Sequence, residues 1–545
     1  MVRKISLNKN FLAFLLLTSV ILGVFSRLTQ TFYQQDEWNG LGLVLSQSLQ
    51  SVFPETFRPI DLLFVKGRML SSLIFYFFAS NFPLQNVQMA VLAIILHIIA
   101  TFLVFLLIKR TVRSFTASLL GAAFFAVNSV SHGAVTWPVI AISTIGSSIF
   151  ILLSILSFFK FAQTDKTKWL LLTGFLLYTS LWFKETGLYL FIFFPFAVLL
   201  LRRYKIKAFL KQFWWFILLF FLIAGYRVLE LRSITTSADL YLTGASENFF
   251  LTLLIRAGLY PLTSLSLMFV PGNHFIEFAR EVVHNNYPYF AGAPNFVLIA
   301  QSAILDILAL ALTIFILFVI FLFLRREKSG IIKTVTFWLA FSLLSFIPYV
   351  VLAKDFSYLE SRYYYVPVAG GAFLLAWVLQ RFRQIVGKIG FTVLIVPLTV
   401  LFLWWHIKTV HVAISDQVLL SQVRKSFMVQ LKEQLPTLNA KKNIFYITSD
   451  KNYWADTNML PFQQGSGYTL MVLYYGSDKI PNEFLKDGFL FEIGSQGYRD
   501  DGDLVFGFFY DKKELTKAME TYKLSEDDIV YLNYKYKEKK ITVSK

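Results

Sequence analysis

The chain has 545 residues, of which 56% are hydrophobic and only 15% charged, and its mean hydropathy is +0.59. That balance excludes an ordinary soluble enzyme of two or three domains and places the chain among polytopic membrane proteins. It carries no cysteine, which excludes disulfides, thiolate catalysis and Cys-ligated zinc, and its net charge of +18 lies wholly in residues 1–408, where 33 Lys and Arg meet 15 Asp and Glu, while 409–545 balance 18 against 18.

The first apolar run, 11–27, follows Arg3, Lys4 and Lys9 and reads as a retained signal anchor, because no Ala-x-Ala-like cleavage site follows it. Further runs of spanning length or nearly so lie at 87–108, 115–131, 138–161, 168–183, 187–201, 212–229, 295–324, 331–353, 363–380 and 390–408. That gives eleven spans. With a cytoplasmic N-terminus they put every basic cluster on the cytoplasmic face: Lys109-Arg110 with Arg113, Lys166 with Lys168, Arg202 to Lys211, Arg325-Arg326, and Arg381 with Arg383 and Lys388. This positive-inside pattern accounts for the charge excess without nucleic-acid binding. Two apolar stretches, 69–80 and 249–270, are read as interfacial or re-entrant, because counting either alone inverts everything after it.

This topology leaves residues 28–86, residues 230–294, the short loop from Lys354 to Arg362 and the C-terminal tail on the outer face. From 409 the text turns to mixed polar sequence with strand-like runs at 443–447, 504–509 and 529–532 and helical runs at 412–435 and 512–523. The expected fold is a polytopic α-helical membrane domain, 1–408, followed by a small extracytoplasmic α/β domain, 409–545.

The polar residues of the outer face form a lopsided set: Asp36, Glu37, Arg58, Lys66, Arg68, His132, Lys184, Glu185, Arg256, Asp355, Glu360 and Arg362. An acidic pair faces a surplus of cations, as expected for a phosphate-bearing substrate with a carboxylate left free to act as a base. The matching chemistry is sugar transfer from a polyprenyl phosphate. The lipid phosphate departs as a stable anion and needs no general acid, so one carboxylate, Asp36, suffices to deprotonate the acceptor hydroxyl, with Glu37 as its neighbour or backup. Surrounding cations stabilise the departing charge. His97 reads as a satisfied packing residue, Asp306 as a further site candidate, and Trp214-Trp215 and Trp404-Trp405 as interface belts.

Several segments resemble the GT-C class of multi-span glycosyltransferases, especially its protein O-mannosyltransferase-like branches. They are the Asp36-Glu37 pair after span one; Phe57-Arg58-Pro59-Ile60 with Asn86 and His97, similar to text in transmembrane tetratricopeptide-repeat mannosyltransferases; and Phe124 to Asn128 running to Ala134-Val135-Thr136-Trp137. Phe183-Lys184-Glu185-Thr186-Gly187 resembles that class's Ser-Lys-Glu segment, and Glu360-Ser361-Arg362-Tyr363-Tyr364 completes the series. The chain departs from the pattern at His132-Gly133, where the class often carries an acid, and it lacks the repeats. The resemblance implies a lipid-linked sugar donor, a catalytic acid in the first outer loop, donor-phosphate contacts from Arg362, Arg58, Lys184 and Arg256, and support from Glu185, Glu360, Tyr363, His132 and Arg68.

The expected activity is therefore that of an inverting glycosyltransferase of the plasma or inner membrane. It moves a hexose such as mannose from a polyprenyl-phosphate donor to a protein, glycan or lipid acceptor. No tightly bound cofactor is expected, and no metal-ligand spacing is present, so transfer is expected to be metal-independent, although the sequence leaves a divalent cation open. The competing readings are a lipid-linked glycan polymerase or ligase, a transporter or flippase, and a glycan-binding receptor without catalysis.

Overall fold

The computed structural model of the chain describes residues 8–34, 37–38, 40–41, 44, 57–112, 114–202, 206–234, 249–286, 294–350, 352, 359–437, 442–449, 466–475, 496–500, 502, 505–535 and 538–544. Among them, seven helices are long and apolar enough to cross a membrane: Lys9–Gln30, Val87–Val112, Pro138–Thr164, Lys207–Arg227, Ile299–Leu324, Ser329–Tyr349 and the run Ser361–Gln434. This is the build of a polytopic helical membrane protein, in which each backbone amide finds its partner within its own segment.

Eight of the eleven expected runs fall on these seven helices, because 363–380 and 390–408 share the last one. Gly387 separates that pair: its φ of +74° breaks the helical path between them. The remaining three runs fold as shorter helices, Phe115–Val127, Thr167–Leu181 and Leu190–Leu201. At 1.5 Å per residue a 13-residue helix reaches only about 20 Å, against a hydrocarbon core of roughly 30 Å. Helices of spanning length are thus fewer than the eleven runs. Of the two stretches kept out of the count, Met69–Asn81 has 13 residues, and Phe249–Leu267 continues into Gly272–Asn286 through a 104° bend, the geometry of a broken span or a re-entrant hairpin.

The chain divides into two compact units, one of residues 1–26, 59–71 and 92–412, the other of residues 27–58, 72–91 and 413–545. The expected boundary after Lys408 therefore falls inside the continuous helix Val396–Gln434, and two N-terminal segments join the second unit.

In the first unit, small residues let helices approach closely. A Cβ on Gly121 would stand 2.7 Å from the carbonyl of Ala372, so Phe115–Val127 lies directly on Tyr365–Gly390; a Cβ on Gly370 would stand 2.9 Å from the carbonyl of Trp338, which brings in Ser329–Leu344. Without a hydrophobic driving force between helices in lipid, this close packing supplies the association. Stacked rings fill the wider gaps, as in Phe158–Phe194 and Trp338–Phe373.

The second unit contains a five-stranded sheet in the order β2-β3-β1-β4-β5, with β1 Lys442–Ser449, β2 Gly497–Asp500, β3 Val505–Phe509, β4 Ile529–Lys535 and β5 Lys540–Ser544. β1 runs parallel to β3 and β4, whereas β2 and β5 are antiparallel edges. The central strands are covered on both faces, which is why Val505 to Phe509 is an unbroken apolar run. Helix Lys512–Tyr522 forms the crossover; Asp511 caps it by accepting from the amides of Lys513 and Glu514, and its Leu515 and Ala518 pack on Ile444, Phe509 and Ile529. The edge strand β5 is closed off by side chains: Gln430 and Gln434 each donate to and accept from its backbone between Lys539 and Val543. That pairing blunts an edge open to aggregation.

Candidate functional site

The two kinds of group singled out from the sequence, acid and cations, fall mainly in different units. Glu37 belongs to the second unit. Its carboxylate accepts from the amide of Gln34 at 2.8 Å, and only 1% of the residue is exposed; the neighbouring Phe32, Tyr33 and Trp38 rings pack on one another. Burial, reinforced by the Glu37 charge, pushes the Tyr33 hydroxyl far above its ordinary range. The Glu37 side chain is thus tied back to the Gln34 backbone and enclosed. Asp36 lies outside the described residues, and so does Asp355. Arg58, also of the second unit, is exposed just ahead of helix Pro59–Phe64.

The cations gather in the first unit. Arg68 grips Glu185 with a two-pronged contact, Nε to Oε2 at 3.0 Å and a terminal nitrogen to Oε1 at 2.7 Å. The backbone bends to allow it: Val65 and Arg68 have φ of 61° and 42°, a region a β-branched residue rarely enters. Arg362 pairs with Glu360 at 2.7 Å, and its guanidinium lies 5.2 Å from the ring centres of both Trp137 and Tyr363. Between these pairs stands Lys184, 7% exposed, whose ammonium donates to Thr144 Oγ1 at 2.9 Å and lies 5.5 Å from the Tyr363 ring centre. No carboxylate among the described residues comes within ion-pair distance of it.

Electrostatics follow from that arrangement. Burial, with Arg68 and Arg362 nearby, lowers the Lys184 pKa from its ordinary value to about 7. For Glu185 burial pulls upward, but Arg68 and Lys184 outweigh it and hold the carboxyl at about 2. Across the cluster three cations meet two carboxylates, and the surplus charge is the one left without an anion. A buried ammonium whose direct contacts are a hydroxyl and a ring, with the nearby Glu185 and Glu360 engaged by arginines, is costly unless a further anion arrives.

Local sequence explains the placement. Asn128 accepts from the amides of Val130 and Ser131 and donates to the carbonyl of Met268, which ends helix Phe115–Val127 and sets up the turn after it. His132 donates from Nδ1 to the carbonyl of Ser129 at 2.6 Å, and burial lowers its pKa. The residue after it must be glycine: a Cβ on Gly133 would stand 1.9 Å from Ser361 Oγ and 3.5 Å from the Arg362 amide. His132 and Gly133 thus shape the bed of Arg362.

The structure thus joins Arg68, Lys184, Glu185, Glu360, Arg362 and Tyr363 in one cluster. Arg256 is anchored differently, donating to the carbonyl of Leu352 at 2.9 Å beneath Tyr260. His97 accepts from the Tyr365 hydroxyl and donates to the carbonyl of Ala126, both needs met in the packing. Thr144 and Tyr349, whose ring centre lies 4.4 Å from that of Tyr363, were not picked from the sequence, and Trp137 entered there only as the end of a motif. A signal for Thr144 exists: Ser143, Thr144, Ser147 and Ser148 form a polar stripe at helical spacing on an otherwise apolar helix, and all are buried. Ser147 of that stripe donates to the carbonyl of Lys184.

Among the described residues no group of three or more His, Cys, Asp or Glu could hold a metal ion. No protein-family model matches the sequence, and no curated protein matches it significantly.

Proposed function

We propose that the protein is an inverting, GT-C-like glycosyltransferase that takes a sugar from a polyprenyl-phosphate donor and passes it to a hydroxyl acceptor. The observation that carries this reading is Lys184: a buried ammonium held between Arg68 and Arg362 without an anion of its own. A donor phosphate supplies that anion. Arg362, half-stacked between Trp137 and Tyr363, presents its fork to the same ligand. This reading keeps the topology expected from the sequence, with the N-terminus in the cytoplasm and the C-terminal domain outside the cell membrane.

The step balances simply. Asp36 takes the proton of the acceptor hydroxyl, the oxygen forms its bond to the anomeric carbon, and the bond from that carbon to the phosphate oxygen breaks with its electron pair on the phosphate. Configuration inverts. The leaving phosphate gains one negative charge, and Lys184 and Arg362 stabilise that gain more in the transition state than in the ground state. Arg68 keeps Glu185 occupied, so this carboxylate does not neutralise Lys184.

The test is release of polyprenyl phosphate from a labelled polyprenyl-phosphate hexose by the purified protein with candidate acceptors. Asp36→Asn should cost about 10³-fold while the protein folds normally, in the range expected for a lost general base. Movement of the intact lipid-linked sugar across a vesicle membrane, with no release, would replace this reading with that of a transporter.

A further inference from the structure

A second basic site lies away from this cluster, at the C-terminal ends of two long helices. Pro294–Leu324 gives way at once to Arg325 and Arg326, and Tyr365–Gly390 brings Arg381 and Gln384 alongside. Together with the apolar side chains of Phe323 and Ile385 they line a groove of about 500 Å³. Its floor is built. Glu327, with a side chain only 3% exposed, pairs with Arg381 and accepts from Trp377 Nε1 at 3.2 Å, and Gln384 accepts a further bond from Arg381.

Arg325 and Arg326 contribute differently. Both are exposed, neither has a carboxylate partner among the described residues, and Arg325 lies against the Phe321 ring. Three guanidinium groups against one carboxylate leave two positive charges around the groove. Its flank is apolar and open, with Ile385 63% and Leu322 42% exposed, and Gly387 turns the chain just beyond. Basic residues at a helix end serve topology wherever they stand on a smooth surface. Here they surround a concavity with an oily flank.

We infer that this groove binds the phosphodiester headgroup of an anionic phospholipid, whose acyl chains lie along Leu322 and Ile385. The hydropathy break between Leu324 and Arg325 sets the groove at the membrane boundary, where such a headgroup sits. A free phosphate matches the charge and leaves the apolar flank uncovered, whereas a zwitterionic lipid covers the flank and leaves the charge unanswered. The inference is independent of the transferase reading.

The experiment uses the full-length protein in zwitterionic nanodiscs, titrated with fluorescent phosphatidylglycerol. Combining Arg325→Gln with Arg326→Gln spares Arg381, so Glu327 keeps its partner and the fold is not challenged. This variant should bind phosphatidylglycerol about thirtyfold more weakly, as the loss of two membrane-surface cations implies. Lys166→Gln with Lys168→Gln, an exposed basic pair elsewhere, should bind as the wild type does. Fluorescent phosphatidylcholine should show no saturable binding, and soluble glycerol phosphate should not displace the labelled lipid. Equal affinity in the double-arginine variant and the wild type overturns the inference. So does an equal loss in the lysine control, saturable binding of phosphatidylcholine, or displacement by glycerol phosphate, which would make the site one for the free anion.

Discussion

Lys184 and Glu327 are both buried charged groups near the ends of apolar helices, and their surroundings treat them in opposite ways. Glu327 is answered at Oε1 by both Arg381 and the Trp377 indole. Lys184 has the Thr144 hydroxyl and the face of Tyr363, while the nearby carboxylates are committed to Arg68 and Arg362. An ionisable group that the fold satisfies contributes to holding the structure. One that the fold leaves unsatisfied stores a cost that a ligand can relieve, and it marks function more sharply than its charge alone.

Substitution at the two positions should therefore produce opposite phenotypes. Lys184→Met should lower transfer by about 10²-fold or more, the scale of a lost oxyanion donor, while leaving thermal stability unchanged or raised. Glu327→Gln should do the reverse, lowering stability by about 1–3 kcal/mol with transfer retained, because it leaves the partly buried Arg381 without its counter-charge. If Lys184→Met unfolds the protein, the ammonium is structural and the contrast fails.

Two smaller effects sharpen the picture around Arg362. Arg362→Lys keeps the charge and loses the fork and the ring stacking, so donor KM should rise about tenfold. Near-normal KM would show that the guanidinium geometry is not used. Gly133→Ala removes no functional group but pushes against Ser361, and a displacement of this kind should also cost about tenfold in kcat/KM. Adding Ser361→Gly makes room for the methyl group and should restore most of the activity; failure of that rescue would mean the close approach does not position Arg362.

The pH dependence has a defined sign. The Lys184 pKa of about 7 in the folded protein lies below the ordinary lysine value of 10.5. Between those limits the unfolded chain binds the extra proton, so the stability of the ligand-free protein gains from this residue as pH rises from 7 towards 10.5. Glu185, held at about 2 against an ordinary 4.5, contributes stability that is present above 4.5 and lost as pH falls towards 2. Thermal denaturation of Lys184→Met should lack the first trend across pH 7–10 and, in a separate scan across pH 2–5, keep the second in weakened form, because Lys184 is one of the charges that hold Glu185 down.

Much of the fold was legible because apolar runs are long and their boundaries charged. The run 87–108 became Val87–Val112, and 295–324 became the helix Pro294–Leu324. Less legible was what depends on tertiary contacts. The expected 115–131 stops at Val127 because the Asn128 side chain closes a turn there, and the continuity from Val396 to Gln434 hides a change of surroundings that hydropathy assigned to Lys408. The strands β1, β3 and β4 announced themselves as apolar runs. The edges β2 and β5 did not, being short and polar, with β5 supported by two glutamines some 110 positions earlier in the chain.

The site divides similarly. Charge and the spacing of short motifs singled out Arg68, Lys184, Glu185, Glu360 and Arg362, all of which meet in one cluster. They could not say who pairs with whom: Lys184 and Glu185 are adjacent in sequence, yet Glu185 turns to Arg68, 117 residues away, and so leaves Lys184 open. Tyr349 sits in the cluster through packing alone, with no local pattern to mark it, and Trp137, which closes a motif in the sequence, carried no assigned role there.

The measurement that bears most directly on the central claim is the affinity of the purified protein for polyprenyl phosphate at pH 6 and pH 9, for wild type and Lys184→Met. A buried ammonium that answers a lipid phosphate should give tight binding at pH 6 and clearly weaker binding at pH 9, with affinity in the variant low and nearly flat between the two. Equal affinity of wild type and variant at both pH values would contradict the account.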